Sequence, residues 1–63
     1  MPYFCYIHRS SGGVPHFEVL PQAGREDALR RAAELLADRL DGERAEVWEG
    51  ETLVQTLARP VAA

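Results

Sequence analysis

The sequence predicts an α+β fold: a four-stranded antiparallel sheet laid out ββαββ, in the order 2-1-3-4, with one helix packed on one face. Three observations lead there. Two short segments near the start alternate apolar and polar positions around a Ser- and Gly-rich turn. One long middle segment repeats its apolar residues at three- and four-residue steps, and a second alternating pair follows it and turns at a glycine. A chain of 63 residues is a single domain, 1–63, with residues 60–63 as a tail.

The first strand is YFCYIHR, residues 3–9, with Tyr3, Cys5 and Ile7 on one face and Phe4, Tyr6 and His8 on the other. Its aromatic and β-branched content suits a pleated surface. SSGG then marks a turn, and HFEVL forms the second strand, stopped by Pro21, which has no N–H to give a ladder. An apolar inner face is obtained by setting Ile7 opposite Phe17 and Cys5 opposite Val19. That register also sets His8 opposite His16 on the outer face.

The segment REDALRRAAELLADRLDG, residues 25–42, is the helix. Leu29, Ala32, Ala33, Leu36 and Leu40 make its apolar stripe, with Leu35 on the flank. Glu26 and Asp27 suit the positive end of the helix dipole, and Arg39 the negative end. Glu26–Arg30 and Asp27–Arg31 have i,i+4 spacing in the favourable order. Gly24 is the expected N-cap, and Gly42 the left-handed residue that ends the helix.

In the third strand Ala45 and Val47 alternate with Glu46 and Trp48. A two-residue loop at Gly50 and Glu51 leads into a fourth strand, 52–59, pairing Trp48 with Leu53 and Val47 with Val54. The crossover helix makes the third strand parallel to the second. Inserting the third strand beside the first makes every neighbour antiparallel and sets the helix over the sheet centre, which selects the order 2-1-3-4.

This layout leaves a surplus of apolar side chains. The helix roofs Tyr3, Cys5, Ile7, Phe17, Val19, Ala45, Val47 and Val54. The opposite face then collects Phe4, Tyr6, Leu20, Trp48, Leu53 and Leu57, where a one-sided antiparallel sheet normally turns polar residues to water. Large aromatics each bury about 150–250 Å². Such a face exceeds the contiguous apolar surface that monomers usually expose. The expected cover is a second copy across a two-fold axis, the commonest oligomer symmetry. A chain this short has a marginal core, and its single cysteine can make no internal disulfide, so a partner is the natural source of added stability.

Composition narrows the remaining classes. The net charge of −3 argues against nucleic acid, whose phosphates call for a basic face. No apolar run reaches the ~20 residues of a membrane span, and MPYFCYI lacks the basic start of a signal peptide. With an unpaired thiol, the expected compartment is the cytoplasm. All seven cations are arginine, a usage typical of GC-rich bacterial genomes.

The chemistry-bearing residues are few. Cys5 and His8 are three apart on one strand and therefore face opposite ways, which separates any thiol–imidazole dyad. His8 and His16, expected as cross-strand neighbours with Glu18 nearby, are the candidate metal ligands, though a structural zinc site takes four. Met-Pro is also how small tautomerases of similar length begin, their freed proline amine serving as general base. This chain inserts the strand 16–20 before its helix, where those enzymes run strand, helix, strand. Arg30 and Arg31 share the helix surface with Glu26, Asp27, Glu34 and Asp38 as an ordinary solvated charge lattice. GGVP lacks the pattern of a phosphate loop. Trp48, among leucines, is the expected interface anchor.

YFCYIHR, HFEVLP before an Ala-, Arg- and Leu-rich helix, and AEVWEGETLVQTL together resemble a set of short uncharacterised bacterial proteins, mostly proteobacterial. Those begin with Met-Pro and an aromatic strand, carry Leu-Pro before one helix, and close with a hairpin turning at Gly. The resemblance spans nearly the whole chain and implies the ββαββ layout, with no catalytic assignment to carry over. This chain's second hairpin turn is the shorter. The layout is also similar to small antitoxin domains, which implies a unit able to dimerise and grip a protein. The sequence therefore points to a non-enzymatic, homodimeric interaction module without a cofactor. The alternatives are a metal- or small-molecule-binding regulator acting through His8 and His16, and a tautomerase-like enzyme using Pro2.

Overall fold

The computed structural model describes residues 2–21 and 24–59; Met1, Gln22, Ala23 and the predicted tail at 60–63 lie outside the described residues. The elements are β1 (Tyr3–Arg9), β2 (His16–Leu20), α1 (Arg25–Ala37), β3 (Gly42–Glu49) and β4 (Thr52–Ala58). The four strands form one sheet in the order β2-β1-β3-β4, every pair antiparallel, and α1 packs on one face. The predicted fold class and strand order are those observed.

The core lies between α1 and the sheet centre. Cys5, Ile7, Ala45 and Val47 from β1 and β3 are wholly buried, joined by Tyr3 and Leu20 at the sheet and by Ala28, Ala32 and Leu36 from the helix. Leu29, Leu35, Val54 and Leu57 pack around this cluster. Two of the three buried helix positions are alanines, which lets the helix backbone sit close over the central strands.

The register of β2 differs from the expectation by one residue. Tyr6 pairs with Phe17, Phe4 with Val19, Cys5 with Glu18 and Ile7 with His16. A one-residue shift turns every side chain of a strand over. Phe17 and Val19 are therefore on the face away from the helix, 46% and 52% exposed. Leu20, expected on that outer face, lies beneath the helix at 2% exposure. The physical reason is position. β2 is an edge strand, and α1 lies chiefly over β3, so the helix covers only the Leu20 end of β2. Glu18 and His16 keep partial access to solvent on that flank, while Phe17 finds Phe4 and Tyr6 on the other side.

Leu57 is also corrected. It pairs with Ala45 and packs against the helix-side core, so it is not on the open face. The cause is a bulge in the β3–β4 ladder: Trp48 pairs with Leu53 as expected, but Val47 pairs with Gln55, leaving Val54 as an extra residue. One inserted residue inverts the alternation for the rest of the strand. The loop at Gly50 and Glu51 is the predicted two-residue connection, with Glu49 opposite Thr52 and Gly50 at φ +60°. Glycine adopts that left-handed conformation without a Cβ penalty.

The helix stops at Ala37, well short of residue 42, and Leu40 is 97% exposed. Asp38 caps it in right-handed geometry, and Arg39 lies beyond its last turn. Gly42 opens β3 and is not left-handed. Its missing side chain serves close packing instead: a Cβ there would approach Leu36 Cδ1 to 2.9 Å. Sequence reading missed the residue that ends the helix. The Arg59 guanidinium, arriving from the end of β4, donates to the carbonyls of Leu36 (3.2 Å), Gly42 (3.1 Å), Ala37 (3.4 Å) and Arg39. Carbonyls at a helix C-terminus have no partner within the helix, and a cation there also meets the negative end of the dipole. Gly24 is the N-cap as predicted, without a side-chain bond. The helix ion pairs are Asp27–Arg30 (3.1 Å) and Arg31–Glu34 (3.2 Å), both i,i+3, in place of the i,i+4 pairs expected.

Candidate functional site: the open face of the sheet

The face away from α1 is built from alternate residues of all four strands. The ladder sets Phe4 beside Trp48 and Val19, Tyr6 beside Glu46 and Phe17, His8 beside Arg44, and Trp48 beside Leu53. Cross-strand neighbours at this spacing touch. Phe17 stacks with Phe4 at a centroid distance of 5.7 Å and meets Tyr6 at 5.0 Å, tilted by 48°. These separations fall in the range where aromatic pairs attract beyond their shared area.

The aromatics do not make a flat surface. Phe4, Tyr6, Phe17 and Trp48 wall an open trough of about 550 Å³, whose remaining lining is His8, Glu46 and the Gly50–Glu51 turn. Glu46 is its polar centre. The Trp48 indole N–H donates to Glu46 Oε1 at 3.4 Å, and His8 Nε2 lies 3.3 Å from the same oxygen. His8 Nε2 is enclosed yet makes no well-directed hydrogen bond. The two groups are therefore in contact without forming a hydrogen bond. Arg44 lies at one end of the face and Glu51 at the other, so the charge along the strands runs from positive to negative.

Of the residues predicted for an outer interface, Phe4, Tyr6, Trp48 and Leu53 are on this face. Leu20 and Leu57 are on the helix side, and Phe17 and Val19 take their place. The substitution was hidden because HFEVL alternates on both faces, and only the loop at 10–15 decides which set faces the helix. That loop holds Gly12 and Gly13, both left-handed, at φ +82° and +87°.

The histidine pair does not assemble. His16 pairs with Ile7 on the helix side, while His8 projects from the open face, so the two rings stand on opposite sides of the sheet. His16 instead has Glu18 as its neighbour, Nε2 to Oε2 3.7 Å, and that oxygen is enclosed without a hydrogen bond. Among the described residues no three His, Cys, Asp or Glu side chains gather as metal ligands would. Cys5 faces the helix as expected. It is wholly buried, and burial, with a lesser contribution from the Glu18 carboxylate, pushes its thiol up to about 11. A thiol so placed is a small hydrophobe, not a nucleophile. Pro2 is exposed; its carbonyl accepts from the Gly50 N–H at 3.4 Å, and it stands outside the trough lining. Among the described residues no helix is long and apolar enough to cross a membrane.

No family model, curated protein or solved structure matches this chain.

Proposed function

We propose that this protein is a non-enzymatic, homodimeric interaction module whose open sheet face is closed by the same face of a second copy. The observation that carries this reading is the side-chain set of that face: Phe4, Tyr6, Phe17, Val19, Trp48 and Leu53, gathered where the helix does not reach. One partner contributes roughly 800 Å² to a standard interface. At about 25 cal/mol per Å² of apolar surface, such burial would add several kcal/mol to a marginal core.

Charge selects the orientation. Two faces that meet across a two-fold axis have that axis lying between the sheets. An axis running along the strands stacks Arg44 on Arg44. An axis running across them sets Arg44 of one copy over the Glu51 end of the other, which is the complementary arrangement. Glu46, already accepting from the Trp48 indole N–H, enters the interface with part of its hydrogen-bonding satisfied.

Sedimentation equilibrium of the wild type and of a Val19→Arg/Leu53→Arg variant tests the reading. Both positions are exposed in one copy and lie outside the trough, so the fold tolerates the change. The wild type is expected to be a dimer at micromolar concentration, with a shielded Trp48 emission that shifts on dilution, and the variant a monomer. A wild type that stays monomeric with concentration-independent Trp48 emission overturns the proposal.

A further inference from the structure

The trough on the open face differs from the rest of that face in its charge. Two carboxylates line it, Glu46 and Glu51, and no arginine does. The ladder sets Glu46 between Tyr6 and Thr56, with Trp48 two residues along the same strand. The Glu46 side chain is 26% exposed, and its hydrogen bond from the Trp48 indole N–H is long, at 3.4 Å. His8 is the one lining residue able to carry a positive charge, and it touches Glu46 without a hydrogen bond. The ion pairs that arginines make among the described residues lie elsewhere, with Asp27, Glu34 and Asp41. A carboxylate drawn partly out of water costs free energy unless a cation offsets it. Glu46 is such a group, set among rings and without a permanent cation beside it.

We infer that this trough binds a small organic cation, an alkylated ammonium ion. The sign of the charge follows from Glu46 and Glu51 and from the net −3 of the whole chain. The alkylation follows from the walls. Phe4, Tyr6, Phe17 and Trp48 supply aromatic surface, and the negative face of an aromatic ring attracts a cation. A primary ammonium brings three N–H donors and needs an acceptor for each. An alkylated ammonium spreads its charge over methyl groups and leaves few or no donors to satisfy, which suits rings around one central carboxylate. Size selects a free small molecule. The trough holds about 550 Å³, within the roughly 300–1,000 Å³ of small-molecule sites, and the Gly50–Glu51 turn lines part of it. The inference shares its face with the proposed dimer but does not rest on dimerisation, because each chain carries the whole trough.

Trp48 is the only tryptophan of the chain, so its emission reports on the trough. The test titrates choline into the protein at about pH 8 and submicromolar concentration, below the range of the proposed dimer, with sodium chloride as the ionic-strength control. A parallel titration uses the neutral alcohol that has carbon in place of the choline nitrogen, and so the same shape without the charge. Choline is expected to shift Trp48 emission saturably, and the alcohol to bind at least about tenfold more weakly. Glu46→Gln keeps the shape of the side chain and an acceptor for the indole N–H but removes the charge. It is expected to weaken choline about tenfold and to leave the alcohol unchanged. Glu51→Gln, on the exposed turn where the fold is not at stake, is expected to give a smaller loss in the same direction. Sedimentation at micromolar concentration reads association separately. Choline binding without a dimer therefore removes only the earlier reading, and a dimer without choline binding removes only this one. Choline that gives no saturable shift, choline and the alcohol binding alike, or Glu46→Gln retaining full choline affinity overturns the inference. A peptide bearing trimethyllysine that binds more tightly than choline overturns it too, by making the occupant a protein.

Discussion

The two faces of this sheet come from the same four strands, yet they are made from different kinds of apolar residue. Beneath the helix at the centre lie Cys5, Ile7, Ala45 and Val47, which are compact or branched. Away from it lie Phe4, Tyr6, Phe17 and Trp48. Hydrophobicity does not distinguish them, and shape does. A helix that presents Ala28 and Ala32 to the sheet leaves a shallow gap, which small side chains fill at the sheet centre, and the one ring on this face, Tyr3, lies at the start of β1. Rings instead stack on one another on the free side, where they leave a trough that a single chain does not fill. The covered face therefore stabilises the chain, and the open face keeps its rings without a roof of its own.

The largest effect should separate the faces directly. Ile7→Ala, in the covered face, is expected to cost about 2–5 kcal/mol. Total stability of a chain this size is only about 3–9 kcal/mol, so that variant should be largely unfolded at moderate temperature. Val19→Ala, on the open face, should change the stability of the dilute protein by less than about 1 kcal/mol. Chemical denaturation at low concentration measures both, and similar losses would erase the distinction between the faces. A smaller effect is expected at the junction of the covered face with the helix end. Arg59→Ala removes a charged donor shared by four carbonyls around residues 36–42, two of which keep a backbone N–H partner, and should cost about 1–3 kcal/mol. Arg59→Lys, with one ammonium in place of a planar fork, should recover part of that loss, and amide exchange at the end of α1 should rise in both.

The smallest effect is a pH dependence. The Cys5 thiol is held near 11 in the folded chain against an ordinary 9.0, by burial first and by the Glu18 carboxylate second. The unfolded chain loses this proton at lower pH than the folded one. The resulting stability is therefore complete below about pH 9 and declines as pH rises toward 11. Melting temperature followed over that window should fall more steeply for the wild type than for Cys5→Ala, and iodoacetamide should label Cys5 only as the chain unfolds.

Much of this was legible before any coordinates. The alternation in YFCYIHR and AEVWE, the helical stripe around Ala32 and Leu36, and the Gly50 turn are local patterns, and they suffice for ββαββ. Even the excess of apolar residues over what one helix covers was readable, and it led to the open face. The residues placed wrongly have a common origin. Leu20, Phe17 and Val19 depended on a register that a six-residue loop sets, and Leu57 on a bulge at Val54 that composition does not announce. His8 and His16 were separated by that same register. Arg59 closes the helix from about twenty residues away in sequence, and no local rule links it to Leu36 or Ala37.

By itself, then, the sequence determined which segments are strands, which is the helix, how they are ordered in the sheet, and that both sheet faces would be apolar. Periodicity and turn chemistry act over a few neighbouring residues, so the chain carries that information locally. Only the tertiary structure decided which aromatics share the open face, that the two histidines part, and where the helix ends. Those outcomes rest on one-residue choices of pairing, which are resolved when the helix, the edge strand and Arg59 compete for the same few ångströms of space.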